Sequence, residues 1–177
     1  MREKFENILL IAGSGQNVGK TTLACQIIQN VKEQKSTGVK ITPHFHNPTT
    51  GLIKLAGAKS WKLFEETNTT TNKDSSLLLK SGAHKSYLIQ TRPEALTAAF
   101  RELQKYLPEN QPVVVESATL IEIIDPGFFV VVIPEGKRQK KDMESLLQKA
   151  DLIVISDGKH FYPPSEKIIF NKKWMLR

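Results

Sequence analysis

Ten consecutive residues, Gly13-Ser14-Gly15-Gln16-Asn17-Val18-Gly19-Lys20-Thr21-Thr22, carry the most sharply defined chemistry in the chain. Glycines let the backbone N–H groups of such a loop curl around phosphate oxygens. A helix opening directly after the loop adds a fixed positive field, and the lysine after the last glycine reaches the β- and γ-phosphates. The spacing therefore assigns nucleoside triphosphate binding to Gly15, Gln16, Asn17, Val18, Gly19, Lys20, Thr21 and Thr22, with Lys20 catalytic and the Thr21 hydroxyl on Mg2+. One position departs from G-x-x-x-x-G-K-[ST]: its first glycine is Ser14, whose neighbours Gly13 and Gly15 can absorb the unusual dihedrals.

Two carboxylates are candidates for the metal shell and for catalysis. Glu116 closes the apolar run 113–115, where a charge is costly unless it binds something, and a carboxylate there can hold the Mg2+ shell or orient water. Asp74 lies in Asn72-Lys73-Asp74-Ser75-Ser76. That segment predicts a helix capped by Asp74 or Ser75 and stopped at Gly82, with Asp74 near the metal and γ-phosphate. Lys40 lies in the second predicted strand with His44 and His46 just beyond it, and all three are assigned to the substrate side of the cleft. Lys40 reads equally as a phosphate or carboxylate contact and as an ordinary strand-end lysine. The two histidines lack a cysteine or third ligand nearby, which argues against zinc.

Two further groups belong to the same inventory. The basic cluster 137–141 reads either as a solvated loop or as a contact for an anionic substrate or partner. The segments 156–158 and 171–173 fall where a nucleotide base would be read. The second lacks the aspartate of the guanine-reading Asn-Lys-x-Asp pattern, so ATP and GTP both stay open.

Regular elements must hold these residues in place. The uniformly apolar runs 8–12, 128–133 and 152–155, with 38–42, 87–90, 113–116 and 168–170, read as strands, most of them buried on both faces. Between them, Leu23, Ala24, Ile27, Ile28 and Val31 form one helical stripe. Leu96, Phe100, Leu103 and Leu107 form another after Pro93, and Met143, Leu146, Leu147 and Ala150 a third. This alternation predicts an α/β fold with a doubly wound, mostly parallel sheet flanked by helices, with ligands at the carboxyl ends of the strands. The polar stretch at about 43–73 breaks the rhythm. It is expected to be a functional excursion, mobile without ligand, with the island 61–64 as a hairpin strand or short helix.

Composition bounds the classes. A chain of 177 residues with 40% hydrophobic and 24% charged content fits one globular domain, 1–177. No apolar stretch reaches membrane-spanning length, and the charged start lacks a signal-peptide core. The single cysteine, Cys25, is expected to be a packed thiol in a reducing, cytoplasmic setting. A net charge of +7 spread along the chain fits an anionic ligand. Few aromatics and no nucleic-acid module argue against DNA or RNA as a partner.

The loop resembles that of dethiobiotin synthetase and its relatives, a P-loop NTPase group that includes the MinD-type ATPases. The second lysine of MinD-type loops is replaced here by Gly15, which argues against a MinD-like dimer. Val39-Lys40, His44-Phe45-His46, Asn72-Lys73-Asp74-Ser75, Ser81-Gly82-Ala83 and Val115-Glu116, taken in order with the loop, resemble the molybdopterin-guanine dinucleotide biosynthesis protein B family. Two positions depart from that family: Ser81 replaces alanine, and Ser117-Ala118 follows Glu116 where the family has glycine. The resemblance implies a P-loop NTPase fold, GTP binding with Mg2+, weak hydrolysis and a homodimer. It also implies an accessory role beside a nucleotidyltransferase that attaches a nucleotide to the molybdenum cofactor. Two other classes are consistent with the motifs: an ATP-dependent ligase or kinase on a small anionic metabolite, and a regulatory nucleotide switch.

Overall fold

Alternation along the first strand sets the architecture. In β1 (Glu3–Gly13), Ile8, Leu10 and Ala12 point to one side of the sheet while Leu9 and Ile11 point to the other, and all five are buried. A strand apolar on both faces needs a layer on each side, and helices supply both. The computed structural model describes residues 2–15, 17–136 and 143–177. It is α/β, with a large, mostly parallel mixed sheet flanked by helices.

The six central strands run parallel in the order β5 (Lys85–Thr91), β2 (Thr37–Thr42), β6 (Val113–Glu116), β1, β7 (Ile124–Pro134) and β8 (Leu152–Ser156). β6 lies between β1 and β2, pairing Ile11 with Glu116 on one side and Lys40 with Glu116 on the other. One face packs on α1 (Lys20–Asn30) and α2 (Asp74–Lys80) through Leu23, Ala24, Ile27, Ile28 and Leu78. The other packs on α3 (Leu96–Gln104), through Leu96, Ala99, Phe100 and Leu103, and on the partly buried Leu146 and Leu147 of α4 (Glu144–Lys149). The expected helix after Pro93 therefore forms, its first turn a 3-10 turn over Pro93–Ala95.

Three regions differ from the expected layout. The stretch at 43–73 is not a free polar excursion. β3 (Leu52–Ala58) and β4 (Trp61–Glu66) form an antiparallel hairpin, and β4 extends the main sheet by pairing antiparallel with β5. Leu63 and Phe64 supply its apolar anchor, both fully buried. Second, the expected strand at 168–170 stays outside the main sheet. β10 (Ile168–Asn171) pairs with β11 (Lys173–Leu176), and Phe170 and Trp174 pack edge to face at 5.2 Å against the α1 layer. The Trp174 indole N–H donates to the Asn7 carbonyl at 2.7 Å, fixing this hairpin to the first half of β1. Third, β9 (Phe161–Tyr162) folds back antiparallel on β8 and ends the sheet. Among the described residues no helix is long and apolar enough to cross a membrane.

Candidate functional site

The loop leaves the carboxyl end of β1 and enters α1 at Lys20. Gly13 must be glycine: a Cβ there would lie 2.9 Å from the Val132 carbonyl oxygen and 3.0 Å from the Lys20 side chain. Gly19 precedes the helix in the left-handed region at φ 93°, and a Cβ on it would sit 2.8 Å from the Ser156 hydroxyl. Asn17 is also left-handed, at φ 59°, a conformation that asparagine tolerates better than most residues. Val18 packs into the α1 layer and anchors the loop to the core. The first N–H groups of α1 have no intrahelical acceptor and face the loop. Gln16, assigned to nucleotide binding, lies outside the described residues, as does the basic cluster 137–141.

Lys20, at the start of α1, donates from Nζ to the Gly15 carbonyl. Burial pushes its ammonium pKa below the usual lysine value. Glu116 and Asp74 pull against that shift, and Lys40 adds to it. An ammonium in that state gains from a second anion, which a phosphate would supply.

Behind the loop, three side chains converge on Glu116 or on its partner lysine. Thr21 Oγ1 donates to Glu116 Oε2 at 2.7 Å, and Lys40 Nζ donates to Glu116 Oε1, also at 2.7 Å. The same Nζ pairs with Asp74 Oδ2 at 2.7 Å. The Glu116 carboxylate is buried, and Lys40 is only 18% exposed against 38% for Asp74. Burial pulls the Lys40 pKa down, but Glu116 and the hydrogen bonds to Asp74 outweigh it and hold the ammonium above its usual value. Lys40 is thus the internal counter-ion of two carboxylates, rather than a group projecting from the strand toward a phosphate.

All five residues line one open cavity of about 820 Å3 at the carboxyl edge of the sheet. It takes in Gly13, Gly15, Asn17, Gly19, Lys20, Thr21 and Thr22 on one side and reaches Thr42, His44, His46, Thr91 and Thr119 on the other. His44 and His46 meet at 6.4 Å between ring centroids. Among the described residues no three His, Cys, Asp or Glu side chains cluster as a metal cage. The oxygen donors present, a hydroxyl and two carboxylates that share one ammonium, suit a hard cation that keeps several waters, as Mg2+ does.

No family model, curated protein or solved structure matches the chain.

Several assignments made from sequence change in detail. Neither Asp74 nor Ser75 caps α2: Lys73 holds that position without a side-chain cap, and Asp74 is turned to Lys40. The Ser75 hydroxyl donates to Glu66 Oε2 at 2.9 Å instead. Gly82 does end the helix in the left-handed region, at φ 107°. The Ser117 hydroxyl accepts from the Thr119 and Leu120 N–H groups and so orders the turn after β6. Gly158 lines the cavity, but Asn171, Lys172 and Lys173 do not. They form the turn of the β10–β11 hairpin, which is tied to Asn7 in the first half of β1, away from the loop at its carboxyl end. Cys25 is half-buried in the α1 layer, and burial raises its thiol pKa, as befits a packed rather than a reactive thiol.

Glu66 is the residue that the sequence reading missed. It is a buried carboxylate that accepts from the Ser75 hydroxyl and, at 2.9 Å, from the Asn68 N–H. It ties the end of β4 to the start of α2 and so places Asp74. The available signal was its likeness to Glu116, a carboxylate closing an apolar strand.

Proposed function

We propose that this protein binds a purine nucleoside triphosphate, GTP or ATP, together with Mg2+, on the loop from Gly13 to Thr22, and hydrolyses it slowly. The observation that carries this reading is the 2.7 Å donation from Thr21 Oγ1 to the buried Glu116 carboxylate. A threonine directly after the loop lysine, held against a carboxylate on the neighbouring strand, is the pairing that a P-loop NTPase uses to hold a metal beside the phosphates. The strand order supports the same reading, because β6 lies directly beside the strand that feeds the loop.

Each residue then has a defined task. Backbone N–H groups of the loop and of the first turn of α1 cradle phosphate oxygens, and Lys20 exchanges the Gly15 carbonyl for a phosphate. Thr21, Glu116 and Asp74 would hold Mg2+, which supplies charge neutralisation at the phosphates when bound. Lys40 bridges Glu116 and Asp74 and keeps them in register. Hydrolysis is expected to be slow, as for P-loop proteins that await an arginine from a partner.

By the resemblance noted above, we propose nucleotide attachment to the molybdenum cofactor as the setting of this chemistry, with the protein a homodimeric accessory to a nucleotidyltransferase. A second reading, an ATP-dependent ligase or kinase acting on a small anionic metabolite, is favoured by one feature. The cavity runs past the loop to Thr42, His44, His46 and Thr119, beyond what the phosphate cradle occupies. A nucleotide panel with and without Mg2+, read by calorimetry, tests the shared premise. Absence of triphosphate binding under both conditions would refute both readings. Phosphoryl or adenylyl transfer to an added carboxylate would favour the second.

A further inference from the structure

The main sheet ends differently on its two sides. One edge is β9, only two residues long. The other is β3, seven residues that pair with β4 on one side and are open on the other. The Leu52 N–H turns back to the Thr49 carbonyl at 3.2 Å. Among the described residues, the backbone groups of 53–58 bond only to β4, so those that point outward lack partners. Folded proteins blunt such an edge with proline, charge, a bulge or a covering element. β3 has no proline, and Lys54, with the shift in register beside it, is its only interruption. Ile53 is 53% exposed, and Gly57 and Ala58 are exposed as well, so nothing covers the strand.

Register decides which side chains flank this edge. Ile53, Ala56 and Ala58 lie opposite Glu65, Leu63 and Trp61, on the side of the sheet that packs on α3. Lys54 and Gly57 lie opposite Phe64 and Lys62, on the other side. Gly57 leaves room there. A Cβ on it would meet Lys54 Cε at 3.1 Å and Lys62 Cα at 3.3 Å, so the Lys54 stem runs across the glycine toward Lys62. The Lys62 ammonium stands 5.9 Å from the centre of the Phe45 ring. Lys54, Lys59 and Lys62 form no salt bridge among the described residues. The sequence supplies the reason: residues 35–64 include five lysines and no aspartate or glutamate. The open edge is therefore apolar on one face and positively charged on the other.

We propose that β3 is a docking edge for an extended acidic segment of another protein, which adds to the sheet as a further strand. Backbone hydrogen bonds to the outward groups of 53–58 hold such a strand, and its alternate side chains choose the face. Carboxylates fall beside Lys54 and Lys62, and apolar side chains fall beside Ile53 and Ala56. Charge selects this occupant over a second copy of the chain. Two copies paired through β3 would bring both sets of lysines together, with +7 on each chain, whereas an acidic strand meets them with the opposite sign. The proposal uses no residue of the phosphate loop and does not rest on the nucleotide reading.

The test uses the full chain, isotopically labelled and free of nucleotide, and follows backbone amides by NMR and hydrogen exchange. The probe is a synthetic peptide alternating glutamate and valine. Its controls are a peptide alternating lysine and valine and a backbone N-methylated copy of the probe, which keeps the charges but cannot pair as a strand. Saturable shifts and slowed exchange are expected at 53–58 with the probe, and both controls should bind at least about tenfold more weakly. Lys54→Glu should weaken the probe by about tenfold, and Ile53→Ser by several-fold. Both side chains are exposed, and protection of the β4 amides reports that the hairpin stays docked in each variant. If Lys54→Glu loosens the hairpin, Ile53→Ser still tests the edge. No saturable response at β3, an equal response to either control, or unchanged affinity in a variant whose hairpin is docked would overturn the proposal. So would a dimer in sedimentation whose β3 amides are already protected without peptide, because a second copy would then hold the edge. Because no nucleotide is present, a chain that binds no triphosphate can still pass this test, and one that binds triphosphate can fail it.

Discussion

Lys40 and Glu116 sit on paired positions of adjacent strands, and the ammonium Nζ lies 2.7 Å from carboxylate Oε1. A buried carboxylate is costly alone. Here one lysine and one threonine satisfy it, and the lysine reaches across to Asp74 as well.

Lys40→Met should therefore destabilise the fold by about 3 kcal/mol, because it leaves the buried Glu116 without its counter-ion. Mg2+ should restore part of that loss, since it can neutralise the same two carboxylates. Thermal unfolding with and without Mg2+ checks this. The variant should gain more from the ion than the parent does, and equal gains would show that the carboxylates do not hold a cation.

The same pair predicts an alkaline limit. The folded-state pKa of Lys40 is raised above the usual 10.5. Its stabilising contribution is therefore fully present below about pH 10.5 and is lost as pH rises through the higher folded value. The stability difference between the parent and Lys40→Met should stay constant across neutral pH and shrink only above that range, as denaturant titrations at several pH values would show.

Glu116→Gln keeps the size of the side chain and its contact with Thr21 but removes the charge. Triphosphate binding should persist, while Mg2+-dependent hydrolysis falls by at least about tenfold. Hydrolysis at the parental rate with parental Mg2+ dependence would make Glu116 a structural residue.

The β3–β4 hairpin gives a prediction opposite to the one its polar sequence invited. Phe64 is 1% exposed, and β4 is paired on both sides, so backbone amides of Trp61–Glu66 should resist hydrogen exchange without any ligand. Phe64→Ala should cost about 3–5 kcal/mol. Rapid exchange there in the free protein would contradict the docked hairpin.

How much of this was legible beforehand depends on the kind of signal. Apolar runs announce strands, and β1, β6, β7 and β8 stand where those runs lie, although β8 is buried on one face only, with Ile153 and Ile155 exposed on the other. The strand–loop–helix order around Lys20 was equally plain. The hairpin was not, because Lys54 interrupts the short apolar run between Ile53 and Leu55, and β3 packs only one partly buried face. A two-residue anchor, Leu63 and Phe64, was enough to dock it once β5 offered an open edge. Lys40 was readable as a strand-end lysine. Its two partners come from residues 74 and 116, and that convergence follows from β6 inserting between β1 and β2, which spacing in sequence does not encode.

The central claim is that the loop around Lys20 binds a triphosphate, and calorimetry on the parent and on Lys20→Ala tests it most directly. Lys20 projects from the start of α1 toward the loop, so its loss removes a charge-assisted contact rather than core packing. The parent should bind GTP or ATP more tightly with Mg2+ than without it, and Lys20→Ala, folded as judged by its unfolding transition, should bind at least about thirtyfold more weakly, the loss of about 2 kcal/mol. Equal affinity in the two proteins, or no triphosphate binding by the parent, would contradict the assignment.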